Sequence, residues 1–189
     1  MKKEIITIAG APGSGKSSTA DLVAKELNFT RFSSGNFMRQ IALKRGVSLG
    51  ELSRQAEKDN SIDLEIDKEV RKIAEMKKIV VDSRLAFHWI PRSFKVYLDL
   101  TPEKAAERIL KDLKVNKLRK ETEDSSGYTE IYKKITARLE SEKKRYKELY
   151  SIDYMDKKKF DLIVDTEKNN LKQVVEMIVS EYKKWLKEN

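Results

Sequence analysis

The chain has 189 residues, enough for one domain with a hydrophobic core, and carries 40 Lys and Arg against 31 Asp and Glu. The absence of cysteine excludes disulfides and thiolate zinc sites. No apolar run approaches the roughly 18 residues of a membrane span, and the N-terminal stretch is too soon interrupted by Gly and Pro for a signal peptide. We therefore expect a soluble, cytoplasmic protein.

The formal net charge is +9, but the basic and acidic residues are intermixed, as in KEVRKIAEMKK. Such mixing is typical of solvated helix faces. A basic protein whose substrates are all phosphates would show the same balance. We expect a monomer whose partners are small-molecule nucleotides, and nucleic-acid binding is not the favoured interpretation.

Short apolar runs alternate with longer helical patterns along the chain. The predicted strands cover residues 4–9, about 30–33, 78–82, 94–100 and 160–165. The helical patterns cover residues 16–27, 35–45, 48–76, 102–114, 128–150 and 169–187. Thr101 followed by Pro102 marks one helix start. This alternation predicts one α/β domain over residues 1–189, with a five-stranded parallel sheet flanked by helices.

The first predicted strand leads directly into GAPGSGKSS, residues 10–18, which fits the phosphate-loop pattern G-x-x-x-x-G-K-[ST]. Its glycines allow successive backbone N–H groups to turn toward an oligophosphate. Lys16 can reach the β- and γ-phosphates of a nucleotide, and the Ser17 hydroxyl can ligate Mg²⁺. The predicted ATP site comprises Gly10, Ala11, Pro12, Gly13, Ser14, Gly15, Lys16, Ser17 and Ser18.

Two segments are longer than a simple crossover needs. Residues 34–77 are helical throughout and separate the second strand from the third, and residues 112–128 are mostly polar. Insertions at the carboxyl ends of parallel strands are usually binding lobes or lids. We predict that residues 34–77 form an acceptor-binding lobe and that residues 112–128 form a short lid.

The third predicted strand ends in IVVDSR, residues 79–84, so Asp82 emerges at the same sheet edge as the phosphate loop. A carboxylate there can hold Mg²⁺ through water, and Ser17 and Asp82 are the predicted metal-site residues. No Glu follows Asp82, so the acidic pair typical of water-activating ATPases is absent. This favours phosphoryl transfer to an acceptor over ATP hydrolysis.

Four arginines can serve phosphate groups at this edge. Arg39 follows the second strand, Arg84 follows Asp82, and Arg138 and Arg145 lie seven residues apart on one predicted helix face with Glu142 between them. One guanidinium group can donate two parallel hydrogen bonds to the oxygens of a phosphate. Transfer between two phosphorylated substrates needs several such groups. The set favours an acceptor that itself carries a phosphate.

The chain resembles the nucleoside monophosphate kinases, specifically the archaeal type of cytidylate kinase, from end to end. The segments that carry the resemblance are GAPGSGKSS, SSGNFMRQIA, AEKDNSIDLEID, SRLA, TPEKAAERI, ARLESEKKRYKELYSID and FDLIVDT. The resemblance implies that Arg39 and Arg84 hold the acceptor nucleotide. It also implies that Arg138 and Arg145 act with Lys16 as catalytic residues on the transferring phosphate.

Three positions depart from the family pattern in SRLAFHW, where the family usually has GRLAGW. Ser83 replaces a glycine, and the bulk of Phe87 and His88 is expected to reshape the pocket beside the acceptor base. Ser34 and Asp63 complete the predicted acceptor site. Asp63 is included because its carboxylate can accept a hydrogen bond from the cytosine amino group. Asp67 lies one helical turn from Asp63.

The implied reaction is ATP + CMP ⇌ ADP + CDP with Mg²⁺, and with dCMP as a further acceptor. The basic residues near the predicted lid that could reach ATP are Arg108, Lys117, Arg119 and Lys120. Two alternatives stay open at this point. One is a kinase of the same type with another nucleotide or a small-metabolite acceptor, and the other is a nucleic-acid-associated ATPase.

Overall fold

A computed structural model describes residues 4–115 and 127–188. Five parallel strands form one sheet in the order β2-β3-β1-β4-β5. The strands are β1 (Ile5–Gly10), β2 (Thr30–Ser33), β3 (Ile79–Asp82), β4 (Phe94–Asp99) and β5 (Leu162–Asp165). The predicted five-stranded parallel sheet is confirmed, and all six residues of β1 are buried at its centre.

The strand register brings three carboxyl ends to one edge of the sheet. Asp82 at the end of β3 pairs with Ile8 of β1 on one side and with Ser33 of β2 on the other. On the far side of β1, Gly10 pairs with Leu98 of β4. The connections that leave these ends are therefore neighbours, as expected for a ligand site at the edge of a parallel sheet.

Eight α-helices are present in the described ranges. They are α1 (Lys16–Leu27), α2 (Ser34–Arg45), α3 (Leu49–Lys58), α4 (Ser61–Ile73), α5 (Ala86–Trp89), α6 (Pro102–Val115), α7 (Tyr128–Tyr150) and α8 (Leu171–Lys187). The predicted start of α6 is confirmed, because Thr101 Oγ1 accepts a hydrogen bond from the Lys104 N–H at 3.4 Å.

The prediction of one helical pattern over residues 48–76 is wrong, since two helices occupy this span. Helix α3 ends before Asp59, whose Oδ1 accepts a hydrogen bond from the Ser61 N–H at 2.9 Å at the start of α4. Asp and Asn compete for backbone groups in this way and interrupt helices, a signal that the apolar periodicity hid. The short helix α5 and a 3₁₀ turn at Lys157–Lys159 were not predicted either.

Two apolar layers cover the sheet. Ile6 and Ile8 of β1 join a core with α1 and α8, to which Val23 and Ile178 contribute. On the other face Ile5 packs with residues of α4 and α5. Burial on both faces explains the near-continuous apolar runs of the central strands β1, β3 and β4.

Helices α2, α3 and α4 have a small core of their own, with Met38, Ile41, Leu52, Ala56 and Ile62 buried. Helices α6 and α7 pack together through a further cluster that includes Ile109 and Ile135. The helical span 34–73 thus has a core of its own, while the end of α4 also packs on the sheet through Val70 and Ile73. In the two described ranges no helix is both long and apolar enough to cross a membrane.

Candidate active site

The phosphate loop connects β1 to α1 and is shaped by glycines at positive φ. Gly10 has φ 146°, and a Cβ there would lie 2.5 Å from the Leu98 carbonyl oxygen of the neighbouring strand. Gly15, immediately before α1, has φ 85°. Side chains at these positions would be strained, so the loop needs glycine to take this form. Of the other predicted loop residues, Ala11 and Ser14 are buried and Ser18 is exposed.

Lys16 folds back over the loop. Its Nζ donates hydrogen bonds to the carbonyl oxygens of Gly10 at 2.8 Å and Ala11 at 2.7 Å. Burial and the nearby positive charge of Arg84 lower the pKa of Lys16 to about 7. The negative charge of Asp82 acts in the opposite direction and only partly offsets this. The predicted donor lysine therefore lies within electrostatic reach of a predicted acceptor arginine.

Ser17 and Asp82 meet as predicted. The Ser17 hydroxyl donates to Asp82 Oδ2 at 2.8 Å, although 65 positions separate the two residues in the chain. The Ser33 hydroxyl donates to the same oxygen at 3.1 Å, and Arg31 Nη2 does so at 3.1 Å. Hydroxyl and carboxylate oxygens are the ligands that Mg²⁺ prefers, so this pair fits a metal held beside the phosphate loop.

A cavity opens beside Asp82 between the helices of span 34–73 and α7. Three of the four predicted acceptor residues, Ser34, Asp63 and Arg84, line it together. The remaining lining residues are Gly35, Met38, Ile66, Asp67, Ser83, Leu85, Glu142, Arg145 and Tyr146. The fourth predicted residue, Arg39, lies one turn along α2, where its Nη1 donates to Asn36 Oδ1 at 2.8 Å.

Glu142 is the centre of the charge network in this cavity. Its carboxylate is only 2% exposed and contacts Arg84 Nε at 2.6 Å and Arg138 Nε at 2.9 Å. Burial by itself would raise the pKa of Glu142, but Arg84 and Arg138 lower it overall. In return, Glu142 raises the pKa of Arg84 although burial opposes this. The sequence placed Glu142 between two helical arginines, but nothing in its spacing indicated the contact with Arg84.

Arg145 and Asp63 form a buried ion pair across the cavity, with 2.8 Å between Arg145 Nε and Asp63 Oδ2. Arg145 Nη1 also donates to the Ser141 hydroxyl at 2.8 Å. Burial raises the pKa of Asp63 despite this partner. The sequence assigned Arg145 to the phosphates and Asp63 to the base, and the structure holds the two side chains together.

Asp67 lines the cavity one turn along α4 and accepts a hydrogen bond from the Tyr150 hydroxyl of α7. Burial raises the pKa of Asp67. Phe87 and His88 do not line the cavity wall: Phe87 is buried behind it against Phe160, with ring centroids 4.7 Å apart, and His88 is exposed. The two bulky residues therefore do not reshape the pocket by direct contact.

The predicted lid lies mostly outside the described residues, since Lys117, Arg119 and Lys120 fall between 115 and 127. Arg108 of α6 is described, and its Nη1 donates to the Thr166 hydroxyl at 3.3 Å after β5. The lid therefore stays a prediction.

Comparison with known proteins places this geometry in context. The profile of the family described as "AAA domain" matches residues 9–127. The chain is 33% identical over 177 residues to a cytidylate kinase from Methanosarcina barkeri, covering 92% of this chain and 93% of that protein. It is 35% identical over 182 residues to a cytidylate kinase from Methanocaldococcus jannaschii, covering 93% of this chain and 96% of that protein.

A third relative is longer. The chain is 30% identical over 184 residues to an S-adenosylmethionine-dependent nucleotide dehydratase from Lacinutrix mariniflava. This match covers 96% of the chain but only 36% of that protein.

Solved structures agree on the fold. Shikimate kinase from Bacteroides thetaiotaomicron aligns with a TM-score of 0.63 at 15% identity, over 97% of this chain and 98% of that one. A gluconokinase from Sinorhizobium meliloti aligns with a TM-score of 0.62 at 13% identity, over 100% of this chain and 97% of that one. The predicted phosphate-loop kinase fold is confirmed.

Proposed function

The chain belongs to the cytidylate kinase family of nucleoside monophosphate kinases, and on that premise we propose that it transfers the γ-phosphate of ATP to CMP and dCMP in the presence of Mg²⁺. The observation that carries this proposal is the cavity beside Asp82. It joins Ser34, Asp63 and Arg84, which come from three distant parts of the sequence, into one pocket, and Arg84 lies close enough to Lys16 of the phosphate loop to lower its pKa.

On the donor side, the loop amides and Lys16 would bind the β- and γ-phosphates of ATP. In the structure Lys16 Nζ donates hydrogen bonds to the carbonyl oxygens of Gly10 and Ala11. A bound phosphate offers the lysine amino group a stronger, charged partner and favours its protonated form. Lys16 then moves from its own loop to the reacting phosphates.

Ser17 and Asp82 would hold Mg²⁺, Ser17 by its hydroxyl and Asp82 through water. When bound, the metal neutralises charge on the β- and γ-phosphates. The contact between the Ser17 hydroxyl and Asp82 Oδ2 at 2.8 Å keeps both groups on one side of the loop.

On the acceptor side, Arg84 would bind the phosphate of CMP, and Arg39 would reach it from α2. Arg84 is already oriented by Glu142 and keeps its charge at any physiological pH. Arg138, whose side chain is 30% exposed, shares the same carboxylate and would stabilise the transferring group. With these groups fixed, catalysis is positioning plus neutralisation of charge.

The carboxylates of α4 would recognise the cytosine base. Asp63 can accept a hydrogen bond from the cytosine amino group while keeping Arg145, because a carboxylate has several acceptor positions. Uracil offers no amino group at that position, so the same contact would favour CMP over UMP.

The test is a coupled assay of ADP formation with CMP, dCMP, UMP, AMP and GMP, and with the corresponding nucleosides. We expect turnover with CMP and dCMP, weaker turnover with UMP, and none with nucleosides. Turnover with nucleosides or small metabolites would point to another acceptor. Turnover without a monophosphate that is stimulated by RNA or DNA, and that falls steeply with salt, would point to a nucleic-acid-associated ATPase.

A further inference from the structure

Arg31 of β2 lies against the metal-site carboxylate. Its Nη2 is 3.1 Å from Asp82 Oδ2, and the two side chains are 18% and 6% exposed. The other arm of the guanidinium turns outward, with Nη1 2.5 Å from Oδ1 of Asp21, an exposed residue of α1. Arg31 thus links a surface carboxylate to the one beside the phosphate loop.

Asp82 does not need Arg31 in order to be oriented. The hydroxyls of Ser17 and Ser33 already donate to the same oxygen at 2.8 and 3.1 Å. Arg31 Nε is buried and lacks a hydrogen-bond partner among the described residues, which is unfavourable for an N–H group. What Arg31 adds to Asp82 is a positive charge within ion-pair distance.

We propose that Arg31 is a positioning residue that serves as a resident counter-cation for Asp82 and so lowers the affinity of the nucleotide site for Mg²⁺. This inference rests on the proposed function, since it concerns the metal site of the same kinase. A fixed guanidinium neutralises part of the carboxylate charge and repels a divalent cation nearby. Asp21 offsets part of the Arg31 charge and therefore acts in the opposite direction.

The consequence is an order of events at the donor site. Because Arg31 offsets part of the Asp82 charge, the protein attracts free Mg²⁺ weakly, and the metal enters together with the nucleotide phosphates that supply most of its ligands. A purely structural Arg31 would predict the reverse effect of substitution, because its loss would loosen Asp82 and weaken Mg²⁺ binding.

The experiment measures binding without turnover. Calorimetric titration of the intact protein with ADP at several Mg²⁺ concentrations gives the Kd of Mg²⁺ for the protein–ADP complex. We expect Arg31→Gln to lower this Kd about 3- to 10-fold and Asp21→Asn to raise it about 2- to 3-fold. Arg31→Lys keeps the charge and should stay near the parent value.

Arg92→Gln is the matched control, because it removes one exposed positive charge just before β4, at the opposite end of the strands. Thermal unfolding tests whether each variant is folded. If Arg31→Gln does not fold, Arg31→Met removes the same charge and takes its place: a lowered Kd supports the proposal, and an unchanged or raised Kd overturns it.

A Kd that is unchanged or raised in folded Arg31→Gln overturns the counter-cation role while leaving the kinase assignment intact. If ADP binding by the parent protein does not respond to Mg²⁺ at all, the proposed metal site and this inference fail together. Opposite shifts in the two variants, with Arg92→Gln unchanged, support the proposal.

Discussion

The phosphate loop takes nine consecutive residues from one strand–helix connection, whereas the proposed acceptor cavity draws its lining from α2, α4, the segment after β3, and α7. The loop is shaped by its own backbone, with Gly10 and Gly15 at positive φ. The cavity is shaped by ion pairs between distant side chains, of which Glu142 with Arg84 is one. The donor half should therefore respond to substitution mainly in the chemical step, and the acceptor half in binding and stability as well.

The strongest test of this contrast is Lys16→Ala. We expect kcat to fall about 30- to 1000-fold with little change in KM for CMP, because the lysine acts on the donor phosphates in the transition state. Lys25→Ala, on the exposed surface of the same helix, is the control and should retain full activity. Near-normal turnover by Lys16→Ala would contradict the assignment of the loop.

Glu142→Gln should disrupt the ion pairs of the acceptor cavity while leaving the phosphate loop intact. The substitution keeps the volume but removes the buried counter-charge of Arg84 and Arg138, and we expect a loss of about 3 kcal/mol in the free energy of unfolding. Denaturant unfolding measures this loss.

A bound phosphate can replace the missing carboxylate of Glu142. CMP should therefore raise the melting temperature of Glu142→Gln more than that of the parent protein. Equal increases would mean that the two arginines do not face the acceptor phosphate.

Arg84→Ala and Arg39→Ala sharpen the division between the halves. Each removes a charged hydrogen bond to the acceptor, so kcat/KM for CMP should fall about 10- to 150-fold while KM for ATP changes little. Arg84 should show the larger effect, since its buried contact with Glu142 is also lost. Arg45→Ala, on the exposed end of α2, is the control, and a main loss of ATP affinity would show that the halves are wrongly divided.

The smallest effect concerns pH and should be confined to the donor half. The Lys16 pKa of about 7 means that the free protein carries a largely neutral lysine at pH 8, whereas a bound phosphate favours the ammonium. ADP binding at pH 8 should therefore take up a proton, and affinity should fall as pH rises above 7. Calorimetry in two buffers of different ionisation enthalpy measures this uptake.

Two controls separate Lys16 from other groups in that measurement. Lys16→Arg stays charged and should bind ADP without proton uptake. CMP binding near Arg84 should show no such linkage above pH 7.5, because the negative charge of Glu142 raises the pKa of that arginine although burial opposes this. Proton-neutral ADP binding by the parent protein would refute the neutral lysine.

The sheet and the contact between Ser17 and Asp82 were predictable because their signals are local. The apolar run of β1 and the spacing of Gly10, Gly15 and Lys16 each lie within a few residues, and the parallel topology then places Asp82 beside Ser17. The acceptor half was predictable only as a set of residue types. Burial and pairing depend on contacts across more than 50 positions, so Glu142 with Arg84 and Arg145 with Asp63 could not be found by spacing.

Helix boundaries show the same limit at shorter range. Apolar periodicity over residues 48–76 continues through Asp59 and Asn60. The structure nevertheless ends one helix there: Asp59 is extended, and its side-chain Oδ1 accepts a hydrogen bond from the Ser61 N–H at the start of the next helix. Arg31 was not singled out because an arginine on an edge strand is usually solvated. Its role depends on the position of Asp82, which the strand register determines.

The central position of β1 has a consequence for biosynthesis. Its two neighbours in the sheet are β3, which begins at Ile79, and β4, which begins at Phe94. A growing chain therefore carries the phosphate loop on a strand that is unpaired until β3 emerges from the ribosome and is paired on one side only until β4 follows, a delay on the order of several seconds. An exposed apolar strand attracts improper pairing during that interval. The helices between β2 and β3 share a core of their own and are synthesised before β3. They can therefore acquire structure while β1 is still unpaired.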